Sequence, residues 1–228
     1  MRPATVVLAD DHQVVRAGLR LLLEGQPGLT VVGETSDGLQ VADLVERLKP
    51  DVLVADLIMP GLGGLDVTRE VKRRSPKTRI VILSMHSSDA FVLQALRSGA
   101  SAYVLKSSSA DDLVQAIHEV LAGRRYLSPP LSDKAIAAYV KRAEAGEVDI
   151  YETLTTRERE VLHLAAEGLS NPAIGDRLGI SPRTAETHSA HVMRKLGLRG
   201  KTDLITYALN RNLLPGSPPS PKGGDQKR

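Results

Sequence analysis

The chain of 228 residues is long enough for one large domain or two ordinary ones. Hydrophobic residues make up 42% and charged residues 25%, a globular composition that excludes a largely disordered or fibrous chain. The absence of cysteine excludes disulfides, thiolate zinc sites and thiol nucleophiles. No apolar stretch reaches the roughly 20 residues of a membrane-spanning helix. We therefore expect a cytoplasmic protein without a membrane partner.

Charge is distributed unevenly along the chain. Residues 1–128 carry 15 basic and 15 acidic side chains, so the net charge of +3 arises entirely in the second half. Residues 181–211 contain six basic side chains and only two acidic ones. Such a local basic surface suits a polyanion. The aromatic content of 3% argues against the stacking platforms that bind single-stranded nucleic acid.

The first half alternates short β-branched runs with longer amphipathic segments. The runs are too apolar for a sheet with one wet face and are typical of a buried parallel sheet. The segments between them carry apolar residues at helical spacing, and Asp37 precedes the second as its N-cap. The pattern predicts a doubly wound α/β domain with a five-stranded parallel sheet. Strands are predicted at residues 5–9, 30–33, 52–55, 79–83 and 102–105, and helices at 14–24, 39–48, 65–74, 89–97 and 111–122.

The second half is predicted to be entirely helical. Pro129 and Pro130 end the alternation, and residues 124–152 are predicted to form a linker that contains a helix at 133–143. Four short helices follow, of which the first begins with the TTRE capping box at Thr155 and the third with Ser181 before Pro182. The tail over residues 214–228 is rich in Pro, Gly and Ser and is predicted to be disordered.

Polar side chains end four of the predicted strands: Asp10 and Asp11, Asp56, Ser84 and Lys106. In open α/β sheets, ligands bind outside the carboxyl ends of the strands. Three carboxylates there would repel one another without a hard cation such as Mg²⁺. A lysine and a hydroxyl suit the charged oxygens of an incoming phosphoryl group. Any one of these residues alone would indicate a helix cap or a turn, but the set predicts a phosphoryl acceptor with Asp56 as nucleophile. Nucleotide-binding and serine-hydrolase motifs are missing.

These residues resemble the receiver domain of two-component response regulators, a flavodoxin-like fold, over residues 3–123. The run Met59-Pro60-Gly61 and Tyr103, three residues before Lys106, add to the likeness. The resemblance implies that Asp56 accepts a phosphoryl group from a sensor histidine kinase. It implies that Ser84, Tyr103 and Lys106 bind the phosphoryl group or switch with it. It also implies that Mg²⁺ is held by Asp10, Asp11, Asp56 and the backbone carbonyl of Ile58.

Residues 153–213 resemble the LuxR-type helix-turn-helix, so the whole chain resembles NarL/FixJ-type regulators. The likeness rests on Leu154-Thr155, the REREVL run at 157–162, Ser170-Asn171, Thr187-His188 and Lys195-Leu196-Gly197. In such motifs the second helix enters the major groove of double-stranded DNA with its N-terminal end first. Contacts to DNA are assigned to Ser181, Arg183, Thr184, Glu186, Thr187, His188, Ala190, Arg194, Lys195, Arg199 and Lys201. Of these, Arg194, Lys195, Arg199 and Lys201 are expected to reach phosphates, and the residues nearer the start of the helix are expected to lie at the bases.

The sequence also departs from the LuxR-type pattern. Ala185-Glu186 replaces a usual Val-Lys pair, and Ala190 stands where a second lysine often reads bases. A glutamate can accept from cytosine but repels phosphate, so we expect an unusual operator. Gly175 replaces a usual alanine and is expected to loosen its helix by about 1 kcal/mol unless something compensates.

Three functions remain at this stage. The preferred one is a transcription regulator whose phosphorylation promotes homodimerisation and operator binding. The second is a constitutive DNA-binding regulator that does not depend on phosphorylation. The third is a phosphohydrolase, but such enzymes commonly place an acid/base carboxylate two residues after the nucleophile, where this chain has Ile58. We therefore expect slow self-dephosphorylation at most and no enzyme activity beyond it.

Overall fold

A computed structural model describes residues 2–87, 89–129, 131, 150–211 and 213–214, which form two domains. The N-terminal domain alternates strands and helices as the sequence predicts. Its strands are β1 (Ala4–Ala9), β2 (Leu29–Thr35), β3 (Val52–Asp56), β4 (Arg79–Ser84), β5 (Ala102–Leu105) and β6 (Tyr126–Leu127). Its helices are α1 (Gln13–Glu24), α2 (Gly38–Leu48), α3 (Gly64–Arg74), α4 (Asp89–Ser98) and α5 (Ala110–Leu121).

The strands form one parallel sheet in the order β2-β1-β3-β4-β5-β6. Alternate residues of each strand therefore enter two separate cores. Val7, Leu53 and Ile82 face the side covered by α2, α3 and α4. Val54 and Val81 face the side covered by α1 and α5. Because the strand order reverses direction at β1, the carboxyl ends of β1 and β3 lie side by side with a crevice above them.

The sheet has six strands, so the expectation of five was wrong. Strand β6 contains only two residues, which is too short to show any periodic pattern, and it lies where a linker was expected. It extends the sheet beside β5. Directly after it, the Ser128 backbone N–H donates to the Tyr103 carbonyl at 3.0 Å, and the Leu105 backbone N–H donates to Ser128 Oγ at 3.0 Å. The start of the linker is thus held against β5.

The C-terminal domain begins with a 3-10 helix, Ile150–Thr153, in the last part of the predicted linker. Four helices follow: α6 (Thr156–Ala166), α7 (Asn171–Leu178), α8 (Pro182–Leu196) and α9 (Lys201–Asn210). The predicted capping box at Thr155 is present, and the Ser181 side chain caps α8 ahead of Pro182. The predicted linker helix at 133–143 and the tail from residue 215 lie outside the described residues. No helix of the described segments is long and apolar enough to cross a membrane.

Gly175 is required by a close approach between α7 and the turn that follows it. A Cβ atom at this position would lie 2.8 Å from the Ile180 carbonyl oxygen and 3.3 Å from the Pro182 nitrogen. The Ile180 N–H donates to the Gly175 carbonyl at 2.9 Å, which fixes that turn. Tight packing between the two helices of the helix-turn-helix therefore compensates for the low helix propensity of Gly175, and the sequence could not reveal this packing.

Gly175→Ala should destabilise the C-terminal domain by about 1–3 kcal/mol, because the added methyl group must displace backbone atoms. Helix propensity alone would predict that the substitution stabilises the domain by up to about 1 kcal/mol. The matched control is Gly18→Ala in α1, where a Cβ meets nothing within 4 Å and the substitution should stabilise. Differential scanning calorimetry of both variants measures the two changes. An increase in the melting temperature of Gly175→Ala would contradict the packing argument.

Candidate functional site

Two buried carboxylates lie at the carboxyl edge of the sheet, where β1 and β3 end. The Asp10 and Asp56 side chains are 2% and 7% exposed. Lys106, which follows β5, reaches between them: its Nζ atom lies 2.8 Å from Asp10 Oδ2 and 2.7 Å from Asp56 Oδ2. The structure therefore brings these three predicted site residues into direct contact. This set of residues, with Asp11 and His12, is called the acidic site below.

The protonation of Asp56 depends on two opposed effects. Burial raises the pKa of Asp56 to about 6, although Lys106 opposes this rise through its charge and hydrogen bond. Burial alone would lower the pKa of Lys106, but the charge of Asp56 and the contact with Asp10 raise it above its usual value. At neutral pH the Asp56 carboxylate is therefore mainly ionised beside a cation, which a nucleophilic oxygen requires.

His12 belongs to the acidic site, although sequence reasoning did not single it out. Its Nδ1 atom lies 2.8 Å from Asp11 Oδ1, 3.4 Å from Asp10 Oδ1 and 4.0 Å from Asp56 Oδ2. The signal in the sequence was its position directly after the Asp10-Asp11 pair.

The donor set of the acidic site fits a divalent cation. Asp10, Asp11, His12 and Asp56 each offer one ligand atom, and these atoms all lie within 4.8 Å of one another. Among the described residues, the buried Asp10 Oδ2 and Asp11 Oδ1 atoms have the ion-pair contacts of Lys106 and His12, at 2.8 Å each, and no further hydrogen bond. Oxygen-rich sets of this kind suit Mg²⁺. The Ile58 N–H lies 3.4 Å from Asp56 Oδ1, and the role of the Ile58 carbonyl stays a prediction.

Ser84 and Tyr103 lie next to one another behind the acidic site, and both are fully buried. Ser84 Oγ accepts a hydrogen bond from the His86 N–H at 3.0 Å, and the Tyr103 hydroxyl donates to the His86 carbonyl at 2.7 Å. Burial raises the pKa of Tyr103 above its usual value, so the hydroxyl stays protonated and can donate. The two predicted switch residues thus bond the backbone N–H and the carbonyl of the same residue, His86, in the loop after β4.

The N-terminal part of α8 presents most of the predicted base-contacting residues to solvent. Thr184, Glu186, Thr187 and Ala190 are exposed, as is Arg183. Arg183 Nη1 lies 2.9 Å from Glu186 Oε2, so the two form an ion pair one turn apart. Glu186 therefore neutralises a neighbouring arginine on the surface where the sequence predicts contact with DNA.

The basic side chains near the end of α8 differ in how they are engaged. Lys195 Nζ lies 2.6 Å from Glu158 Oε2 and bonds the Thr153 carbonyl, and Lys201 Nζ bonds the Gly168 carbonyl. Arg194 and Arg199 are exposed and no carboxylate of the described chain lies within ion-pair distance of them. Of the predicted phosphate contacts, the two arginines are therefore the better placed. The predicted contact residues Ser181, at the N-cap of α8, and half-buried His188 complete the set.

The two domains meet beside the acidic site. Asp66, in the first turn of α3, accepts a hydrogen bond from the Tyr151 hydroxyl and lies 3.2 Å from His163 Nε2 of α6. Its other oxygen lies 2.6 Å from Arg69 Nη1 and 3.4 Å from Arg159 Nε. Burial alone would raise the pKa of Asp66, but the contact with His163, the charge of Arg69 and the Tyr151 hydrogen bond lower it to about 2.

The loop between β3 and α3 contributes to the same contact. The Gly61 N–H donates to Glu167 Oε1 at 2.8 Å, and a Cβ atom at Gly63 would lie 3.2 Å from the His163 ring. Arg177 forms an ion pair with Asp37, the N-cap of α2. We call these interactions, with those of Asp66, the docking contact. It involves α6 and α7 of the C-terminal domain and leaves the start of α8 exposed.

Comparison with known proteins gives the family. The profile described as "Response regulator receiver domain" matches residues 6–118, and that described as "Bacterial regulatory proteins, luxR family" matches residues 152–208. Relatives named oxygen regulatory protein NreC are 37% identical over 214 residues in Staphylococcus epidermidis and 38% over 213 residues in Staphylococcus aureus. Each alignment spans 92% of this chain and 98% of the relative. The chain is a LuxR-family two-component response regulator.

Solved structures agree with this assignment. A LuxR-family two-component response regulator from Aurantimonas sp. SI85-9A1 is 43% identical with a TM-score of 0.58, over 60% of this chain and 99% of that chain. RcsB from Salmonella enterica serovar Typhimurium, bound to promoter P1flhDC with a phosphomimetic, is 29% identical with a TM-score of 0.54, over 90% and 98%. The predicted receiver fold and C-terminal helix-turn-helix are confirmed. The relatives of this response regulator are DNA-binding transcription regulators rather than enzymes.

Lys106→Met should destabilise the receiver domain by about 3 kcal/mol at pH 8 without divalent cations, because two buried carboxylates lose their shared cation. Without Lys106 the pKa of Asp56 rises beyond about 6, so the protonated form is favoured and the penalty is smaller at pH 5. Urea unfolding followed by circular dichroism at both pH values measures the effect. The double variant Lys106→Met with Asp56→Asn should recover most of the loss. Equal losses at both pH values would exclude the carboxylate explanation.

Asp66→Ala should open the docking contact, because it removes the acceptor shared by Arg69, Arg159, Tyr151 and His163. The radius of gyration measured by small-angle X-ray scattering should increase. Tyr151→Phe, which removes one hydroxyl group, should give a smaller change in the same direction.

The matched control for this opening is Asp111→Ala, since Asp111 is an exposed acid in the first turn of α5. It should leave the scattering curve unchanged. Identical curves for Asp66→Ala and the wild type would show that Asp66 does not hold the domains together.

Proposed function

We propose that this response regulator accepts a phosphoryl group from a sensor histidine kinase at Asp56 in a Mg²⁺-dependent reaction. Phosphorylation of Asp56 promotes homodimerisation and binding to operator DNA in the cytoplasm. The observation that carries the proposal is the position of the Asp56 carboxylate, buried at the end of β3 between Lys106 and the remaining acidic residues. A buried carboxylate beside a lysine and two further carboxylates suits a nucleophile that receives a charged phosphoryl group.

The transfer assigns a distinct part to each side chain. An Asp56 oxygen attacks phosphorus, its new P–O bond forms as the bond to the donor's nitrogen or oxygen breaks, and the leaving group keeps the bonding electrons. Lys106 stays within ion-pair distance of Asp56 and balances charge on the phosphoryl oxygens. Asp10, Asp11, Asp56 and the Ile58 carbonyl would hold Mg²⁺, which would supply further charge neutralisation.

The loop after Asp56 provides a short route from phosphorylation to the C-terminal domain. A Cβ atom at Gly64 would lie 2.3 Å from the Asp56 carbonyl oxygen, so the start of α3 packs directly on the acceptor residue. The same loop carries Gly61 and Gly63, and α3 carries Asp66, which all belong to the docking contact. A backbone shift at Asp56 therefore changes the docking contact through fewer than a dozen residues of chain.

DNA recognition is assigned to α8. Its exposed N-terminal residues, including Thr184 and Thr187, are suited to base edges in the major groove, while Arg194 and Arg199 are suited to phosphates. One small helical domain buries limited surface on DNA, so a dimer on two half-sites multiplies the affinity. Because Glu186 is paired with Arg183, we expect weaker phosphate attraction at this point and a greater share of specificity from base contacts.

A second candidate is the constitutive DNA-binding regulator. The observation that favours it is the exposure of Thr184 and Thr187 while the docking contact is formed. The docking contact uses other helices and does not cover the start of α8. Under this candidate the affinity for DNA does not depend on Asp56. The two candidates are separated by the experiment below.

Incubation with Mg²⁺ and acetyl phosphate should add one phosphoryl group to the wild type, detected as an increase in intact mass. The Asp56→Asn variant should give no adduct, because its amide cannot replace the nucleophilic carboxylate. Asp111→Asn, an exposed acid in the same domain, should be modified as the wild type is. An adduct that persists in Asp56→Asn would remove Asp56 from the acceptor role.

The same samples are then tested for binding to fragments selected from a random duplex pool by the wild-type protein. Phosphorylation should raise the affinity at least tenfold and shift the protein to a dimer in sedimentation analysis, with no response in Asp56→Asn. Tight binding that is equal with and without acetyl phosphate would instead support the constitutive candidate.

A further inference from the structure

The His12 imidazole forms one wall of the acidic site. Its position is fixed from the main chain, because the His12 N–H donates to Asp10 Oδ1 at 2.8 Å at the N-cap of α1. The side chain is 65% exposed and makes no cap hydrogen bond to the helix. Its Nδ1 atom instead points at three carboxylates, with distances of 2.8, 3.4 and 4.0 Å. The ring therefore has a geometry that α1 itself does not require.

The carboxylates divide between two partners on opposite sides of the site. Lys106 contacts Asp10 Oδ2 and Asp56 Oδ2, while His12 Nδ1 lies nearest to Asp11 Oδ1 and Asp10 Oδ1. Asp11 Oδ1 is buried and, within the described chain, receives no well-aligned hydrogen bond. A carboxylate oxygen of Asp11, a ring nitrogen of His12 and the ligand atoms of Asp10 and Asp56 all lie within 4.8 Å of one another.

The type of ligand determines which metal ions a site binds most tightly. Carboxylate, carbonyl and water oxygens suit Mg²⁺, whereas an imidazole nitrogen suits first-row transition ions and gains affinity along the order from Mn²⁺ to Ni²⁺. We propose that His12 is a nitrogen ligand of the acidic site and makes it bind a divalent transition metal ion more tightly than Mg²⁺. The inference rests on the metal site of the proposed function and adds a residue that determines its metal specificity.

The test compares metal binding rather than phosphorylation. Dissociation constants for Mg²⁺, Mn²⁺, Co²⁺ and Ni²⁺ chlorides are measured by calorimetry on the full chain for the wild type and His12→Ala. We expect the wild type to bind Co²⁺ and Ni²⁺ at least tenfold more tightly than Mg²⁺. In His12→Ala, affinity for these two ions should fall at least tenfold, while affinity for Mg²⁺ changes less than twofold.

Two further variants keep the comparison interpretable. His12→Asn retains a good N-cap residue and should lose Ni²⁺ affinity as His12→Ala does, with circular dichroism checking the fold. His118→Ala removes an exposed histidine of α5 and should keep wild-type constants, which excludes general binding by surface histidines.

A spectroscopic measurement tests the bond itself. Pulsed electron paramagnetic resonance of the Mn²⁺ complex should show coupling to one imidazole ¹⁴N nucleus in the wild type, and this coupling should disappear in His12→Ala. Equal constants in both proteins and no ¹⁴N coupling would overturn the inference, leaving His12 as a charge partner of Asp11. Binding no stronger than that of an Asp10→Asn, Asp11→Asn double variant would overturn the metal site of the proposed function as well.

Discussion

The contact of Lys106 with Asp10 and Asp56 is the interaction on which the chemistry of this response regulator depends. The parallel sheet brings the carboxyl ends of β1 and β3 together, and the sequence places an acidic residue at each. Two neighbouring buried carboxylates repel one another unless a cation lies between them. The lysine, which follows β5, contacts both carboxylates and balances their charge. The fold can therefore keep two carboxylates buried at the edge of the sheet.

The same end of the sheet also receives the C-terminal domain. The loop from Asp56 to α3 has one side facing the acidic site and another side bonded to Glu167 and packed on His163. Asp66 then collects two hydrogen-bond partners and two arginines at a single buried position. A change of charge at Asp56 and a change of domain arrangement therefore act on one short stretch of backbone. Under the proposed function, this proximity gives phosphorylation at Asp56 a route to the C-terminal domain.

The parts of the structure that depend on periodicity were predictable from the sequence. Apolar runs and helical spacing located β1 to β5 and α1 to α5 to within one or two residues, and the polar strand ends located Asp56 and Lys106. Strand β6 could not be predicted, because two residues carry no pattern. The packing that compensates for Gly175 could not be predicted, because helix propensity describes an isolated helix and not the carbonyl packed against it.

Contacts between side chains were harder to predict from the sequence. The distances from His12 to the carboxylates depend on the turn after β1, which no spacing rule encodes. Lys195 was assigned to phosphate from its charge, although its amine also lies within reach of Glu158. The docking contact joins residues up to 140 positions apart, such as Asp37 and Arg177, and a single sequence contains no signal for such pairs.

The anchoring of the linker beside β5 has a further consequence for the strength of the docking contact. Because Ser128 is bonded to β5, the segment that joins the two domains starts beside the receiver sheet. Tethered domains commonly experience effective concentrations in the millimolar range, so a contact with an intrinsic dissociation constant of about 1 mM is already half occupied. At that balance a change of ~1.4 kcal/mol alters the ratio of docked to undocked molecules about tenfold. The docked fraction of a weak interface therefore changes more, for the same change in free energy, than that of a strong interface.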